Sequence, residues 1–217
     1  VVWWKGGDAA QEEAIIAKSD VVLAYGSNEA LATIRDRIPV TTRYLAYGHK
    51  VSFGIITRAA LDTRKATIVA HQAAYDVVRY DQQGCYSPHV FFVERGGRVS
   101  PQDFAQYLAH ELEVFQQKFP RRALSLADAR EMAAWRHSEE IKSFTGEFRG
   151  LIGNAESAWS VVFINGEEDL SPSGLNRTIK VVAVDTQADV VARVSPYKSL
   201  LQTVGIAAPP KELYELA

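Results

Sequence analysis

Only one cysteine, Cys85, occurs in the 217 residues, so an internal disulfide is excluded. A lone thiol suits a reducing compartment, and a cytoplasmic protein is expected. No apolar run approaches the ~20 residues that a membrane-spanning helix requires, and no signal peptide is read. An excess of charge is also missing. Lys and Arg number 24 against 26 Asp and Glu, a net charge of −2, which gives no electrostatic case for nucleic acid or an anionic membrane as partner. Metal-ligand spacing is absent as well. His110-Glu111 begins like a zinc-protease helix, but Val114 stands where the second histidine belongs, and no metal site is read. There is no G-x-S-x-G elbow, no Walker loop, no internal repeat and no low-complexity tract.

What is present is ordinary for a soluble globular protein: 47% hydrophobic and 23% charged residues. The chain opens on Val1-Val-Trp-Trp4 without an initiating Met and stops at Leu216-Ala217 inside a helix-like segment. A piece of a longer protein is therefore expected.

Taken in order, Val1–Trp4 reads as a strand, Asp8 with Gln11 as a helix start, and Val21–Ala24 as a buried strand. This last strand runs through Gly26-Ser27 into a helix from Asn28 to Arg37. Strand, Gly-Ser turn and helix together aim backbone N–H groups at a phosphate, although a plain loop uses the same residues. Tyr44–Tyr47 and Val51–Thr57 read as strands around the turn Gly48-His49-Lys50. Ser100-Pro101 with Asp103, and Ser125 with Asp128, open two long helices. The first carries the stripe Phe104, Tyr107, Leu108, Leu112, Phe115 and Phe119, which reads as core. Thr145–Ser157 reads as a connector, Trp159–Ile164, Thr178–Val184 and Leu200–Ile206 as strands, and Asp185–Arg193 and Pro209 onward as helices. His71 and His137 fall on predicted helices and read as surface or core residues. Strands alternating with helices make the fold class α/β with a parallel sheet.

The stretch Tyr80-Asp-Gln-Gln-Gly-Cys-Tyr-Ser-Pro-His89 holds Cys85 between a helix-like run (Arg64–Arg79, apolar at Ala66, Val69, Ala70, Ala73, Ala74 and Val77) and the strand-like Val90–Val93. A helix-to-strand joint can present a nucleophile on a rigid scaffold. The bland alternative is an inert, half-buried thiol.

Three stretches in order resemble the aldehyde dehydrogenase superfamily. They are Val22-Leu-Ala-Tyr-Gly-Ser27 at its strand and phosphate loop, Ala46-Tyr-Gly-His-Lys50 at its Glu-Leu-Gly-Gly-Lys motif, and Asp81-Gln-Gln-Gly-Cys85 at its nucleophile loop. The longer string to His89, with Phe92-Val-Glu-Arg-Gly-Gly97, resembles the acyl-CoA reductase (LuxC-type fatty acid reductase) branch; Asn176–Lys180 and Asp185–Asp189 fit more loosely. The resemblance implies an aldehyde-dehydrogenase-like fold, with residues 1–43 as part of a nucleotide-binding domain and 44–217 as a catalytic domain truncated at its C-terminus. It implies reduction of an acyl-CoA to the aldehyde with NADPH, through an acyl group on Cys85. His49 is then the candidate acid–base group, Gly26 and Ser27 contact the cofactor, and Glu168 falls near a ribose-binding glutamate. It also implies an acyl-transferase or synthetase partner, a homo-oligomer for the full-length protein, and in part of the family a link to luminescence.

In one place the chain departs from the pattern. The general-base glutamate of the hydrolytic members is Ala46 here, which favours a lasting acyl-cysteine over hydrolysis; Asp81 is an alternative acid. Two rival readings stand beside the reductase. One is a non-catalytic fragment or assembly domain. The other is a cysteine thioesterase, which needs a paired His with an orienting Asn or Asp.

Overall fold

The structure is a computed structural model that describes residues 1–145 and 149–216. It forms two compact units, Val1–His49 and Lys50–Ala217.

The first unit runs α1 (Ala9–Ile16), β1 (Val21–Tyr25), α2 (Asn28–Arg35) and β2 (Arg43–Tyr47). Asp8 caps α1, one carboxylate oxygen accepting from the Gln11 N–H at 3.2 Å and the other from the Gln11 side-chain amide at 2.9 Å. This satisfies a first-turn donor that no intrahelical bond reaches. β1 and β2 pair in parallel, with Val21 opposite Arg43 and Tyr25 opposite Tyr47. Parallel neighbours need a crossover, which α2 supplies.

Two expectations are corrected in this unit. Val1–Trp4 forms no strand, and Trp3 is 89% exposed. β1 exists but is not buried: Val21, Leu23 and Tyr25 are exposed, because β2 is its one strand neighbour and burial reaches only alternate residues. The strands expected on either side of Gly48–Lys50 are both present. Tyr44–Tyr47 belongs to β2 and pairs with β1, and the first compact unit extends through His49.

The second unit contains β3 (Val51–Ile56), α3 (Ala66–Val78), β4 (Pro88–Glu94), α4 (Pro101–Lys118), α5 (Leu126–Phe144), β5 (Arg149–Ile152), β6 (Ser160–Ile164), β7 (Thr178–Val184), α6 (Gln187–Val194), β8 (Leu201–Ala207) and α7 (Pro210–Leu216). One six-stranded sheet, in the order β5-β6-β7-β4-β3-β8, organises it. All neighbours are parallel except the β5–β6 pair at the edge. β5 lies within the expected connector Thr145–Ser157, whose residues 146–148 fall outside the described residues. Four residues beside Gly150 and Gly153 carry too little pattern to read as a strand.

The central strands are buried on both faces, as a parallel sheet requires. On β4, Phe91 and Val93 join a core with α3 and α4, while Val90 and Phe92 join a second core with Val190 and Val194 of α6. Phe104, Leu108 and Leu112 of α4 are fully buried, each worth about 1.5–3 kcal/mol of apolar burial. Tyr107 and Phe119, expected in the same stripe, are 37% and 59% exposed. Gly54 lets β3 and β4 approach, since a Cβ there would sit 2.4 Å from the Phe91 ring.

Candidate active site

After α3 the chain does not pass straight into β4. Tyr80, Asp81 and Gln82 all take left-handed conformations, with φ of 53°, 50° and 62°. Each such non-glycine residue costs on the order of 1–3 kcal/mol and persists only where surrounding structure holds it. A turn follows in which the Ser87 N–H donates to the Gly84 carbonyl at 2.9 Å. Cys85 and Tyr86 form its tip, and Cys85 is exposed. The Ser52 hydroxyl donates to the Cys85 carbonyl at 2.8 Å, and the Tyr80 and Tyr86 rings meet edge-on at 6.2 Å. Among the described residues, no acceptor takes the Cys85 N–H.

The left-handed segment is held from across the sheet. Gln82 is 1% exposed. Its side-chain amide donates to the Pro88 carbonyl at 2.8 Å and the Thr178 carbonyl at 2.7 Å, and its oxygen accepts the Thr178 N–H at 2.9 Å. One side chain thus bridges the first residues of β4 and β7. Asp81 accepts from Arg177 Nε at 2.7 Å and from the Arg122 N–H at 3.1 Å. Both Asp81 oxygens thus hold protein partners. Arg177 closes a second left-handed triplet, Leu175, Asn176 and Arg177, with φ of 55°, 51° and 69°. Gln83 adds a bond to Asn176 Oδ1 at 3.2 Å. Asn176–Lys180 stood out in the sequence only as a loose match to the superfamily, and none of these contacts was visible there.

His89 follows in β4, 8% exposed. Its Nδ1 accepts the Ser173 N–H at 3.1 Å, which assigns the ring proton to Nε2. Burial first, and the Lys180 charge second, lower its pKa to about 4, so the ring is neutral near pH 7.

The remaining sequence-predicted residues distribute as follows. Gly26 and Ser27 lie between β1 and α2 as expected, the Ser27 hydroxyl oxygen accepting the Ala30 N–H at 3.2 Å. His49 and Ala46 are exposed residues of the same unit. Cys85 and Glu168 belong to the second unit. Glu168 is anchored: one oxygen accepts from Arg149 at 2.5 Å, the other from Lys180 at 2.9 Å and Ser171 at 3.2 Å. Burial pushes its carboxyl up, but Lys180 and Arg149 together outweigh it and hold the group below its ordinary range. Arg149 also pairs with the buried Glu139 at 2.9 Å. Among the described residues no cluster of His, Cys, Asp and Glu is arranged to hold a metal ion, and no helix is long and apolar enough to cross a membrane.

A family model described as acyl-CoA reductase (LuxC) matches residues 1–217. The long-chain acyl-protein thioester reductase of Vibrio harveyi is 25% identical over 203 residues, covering 91% of this chain and 39% of its own. That of Aliivibrio fischeri is 28% identical over 205 residues, covering 94% and 40%. The chain thus spans about two fifths of the length of these curated relatives. Among solved structures, the NAD-dependent benzaldehyde dehydrogenase of Corynebacterium glutamicum superposes with a TM-score of 0.61 at 10% identity, over 97% of this chain and 47% of that one. The likeness is one of fold: this is an aldehyde-dehydrogenase-like α/β fold. With the match of the family model over its full length, the chain belongs to the acyl-CoA reductase (LuxC) family.

Proposed function

We propose that Cys85 is the nucleophile of a fatty acyl reductase that passes through an acyl-cysteine. The observation that carries this reading is the exposed, sole thiol at the tip of a turn whose approach is locked in a strained conformation, within a family named for acyl reduction. The Cys85 thiolate attacks the carbonyl of an acyl-CoA; a new C–S bond forms, the bond to CoA breaks, and CoA leaves as a thiolate that takes up a proton. Among the described residues the Cys85 N–H has no acceptor, and it serves the developing oxyanion. After reduction of the acyl carbon, the sulfur departs as thiolate while the aldehyde carbonyl forms. His49 is our candidate for proton transfer or for favouring the thiolate.

A nicotinamide cofactor, NADPH in this reading, supplies the hydride equivalent. Gly26 and Ser27 fit its pyrophosphate. A Cβ on Gly26 would meet nothing nearer than Ala30 Cβ at 3.7 Å, and the first-turn N–H groups of α2 face outward from the helix end. Glu168 would take a ribose hydroxyl through the lone pairs that Arg149 and Lys180 leave. Residues 1–43 then serve the nucleotide and 44–217 the chemistry, with an acyl-transferase or synthetase delivering the acyl group.

The fate of the acyl group tests the reading against a thioesterase. After incubation with palmitoyl-CoA, the acyl-enzyme is expected to persist and to return its acyl group to added CoA. Steady release of free palmitate would contradict it.

A further inference from the structure

We propose that the turn Leu175–Arg177 is the positioning device of Cys85, acting through Asp81 and Gln82; this rests on the reading of Cys85 as nucleophile. Two runs of three non-glycine residues, 80–82 and 175–177, are left-handed, and they interlock. Arg177 and Asp81, 96 residues apart in sequence, pair at 2.7 Å with side chains only 3% and 13% exposed. Gln82 bonds both backbone groups of Thr178 directly after the second run, and Gln83 bonds Asn176. Each run is conformationally unfavourable alone, and each supplies the partners that hold the other.

The device is anchored to the rigid body of the unit. Arg177 Nη1 donates to Gln116 of α4 at 2.8 Å, and the Arg122 N–H reaches Asp81. Its output is the Cys85 turn. The backbone entering that turn is clamped at Gln82 and its tip is held at the Cys85 carbonyl by Ser52. Released from Arg177, residues 80–82 would relax toward ordinary backbone conformations, and the thiol would leave its attack position. Arg177 and Asp81 are therefore positioning residues and take no part in bond making.

Because the chain has one cysteine, every thiol measurement reads Cys85 alone. Asp81→Asn keeps shape and tolerates the left-handed conformation while removing the charge; Arg177→Met breaks the pair and Arg177→Lys retains a cation. With palmitoyl-CoA, Asp81→Asn and Arg177→Met are expected to lower the limiting rate of Cys85 acylation ~10- to 100-fold, with half-saturation little changed and partial recovery in Arg177→Lys. Alkylation by iodoacetamide, which needs no fixed approach, is expected to stay within about twofold. If folded variants acylate like the parent, or if acylation and alkylation fall together, the proposal is overturned. A nitroxide on Cys85 gives a second reading independent of acylation: sharper spectral lines in Asp81→Asn than in the parent support the device, and identical line shapes overturn it. A parent that accepts no acyl group contradicts the nucleophile reading, and the nitroxide then decides the positioning claim separately.

Discussion

Gln82 and Thr178 bond as two strands do, although only one of them contributes its backbone. The Gln82 side chain accepts the Thr178 N–H at 2.9 Å and donates to the Thr178 carbonyl at 2.7 Å. The left-handed conformation of residue 82 turns this side chain inward, and its buried amide continues the sheet where β4 and β7 begin.

Gln82→Leu should therefore destabilise the fold well beyond an average substitution. It takes the buried amide from the carbonyls of Thr178 and Pro88, at about 1–3 kcal/mol for each group left unsatisfied, while the Thr178 N–H keeps the Leu175 carbonyl at 3.1 Å. Urea denaturation measures it. A loss under about 1 kcal/mol would mean that water or a rearranged loop replaces the amide.

Acid sensitivity should follow from His89. Its folded pKa of about 4 lies below the ordinary 6.5, so the unfolded chain takes up a proton in that window while the native chain does not. The stability contributed is complete above pH 6.5 and is lost as pH falls toward 4, roughly 3 kcal/mol in all. Urea midpoints from pH 7 to 5 should fall in the parent and flatten in His89→Asn, whose Oδ1 can still accept the Ser173 N–H. Equal slopes in the two proteins would remove His89 as the cause.

Ala46→Glu should fold, because residue 46 is exposed and a carboxylate there stays hydrated. It should also shorten the life of the acyl-enzyme by supplying a base for water. An acyl-enzyme as durable as the parent's would show that residue 46 does not face the thioester.

His49→Ala should slow alkylation of Cys85 by iodoacetamide near pH 7 by several-fold if the imidazole favours the thiolate. Equal rates from pH 6 to 9 would leave His49 as a linker residue.

Much of the second unit was legible in local pattern. Ser100-Pro101-Asp103 announced α4, and in the structure Ser100 Oγ accepts the Asp103 N–H at 3.1 Å. The apolar run Val90–Val93 announced a central strand that is completely buried. The turn holding Cys85 was legible from Gly84 and Ser87-Pro88, and the order of motifs led to the family. Its support was not legible. Three non-glycine residues carry no local signal for left-handed backbone, and their conformation is set by Arg177 and Thr178, far along the chain. Exposure on β1 was misread for a similar reason: an apolar run records propensity, whereas burial depends on what lies across the sheet.

The central claim is that Cys85 carries the acyl group. Intact-mass measurement of the chain after incubation with palmitoyl-CoA, followed by peptide mapping, tests it most directly. One palmitoyl group is expected on the peptide containing Cys85, removable by neutral hydroxylamine as a thioester is. Cys85→Ser should give no adduct while its far-UV circular dichroism matches the parent, since an exposed thiol contributes little packing. An unlabelled parent, or a palmitoyl group still present on folded Cys85→Ser, would contradict the account.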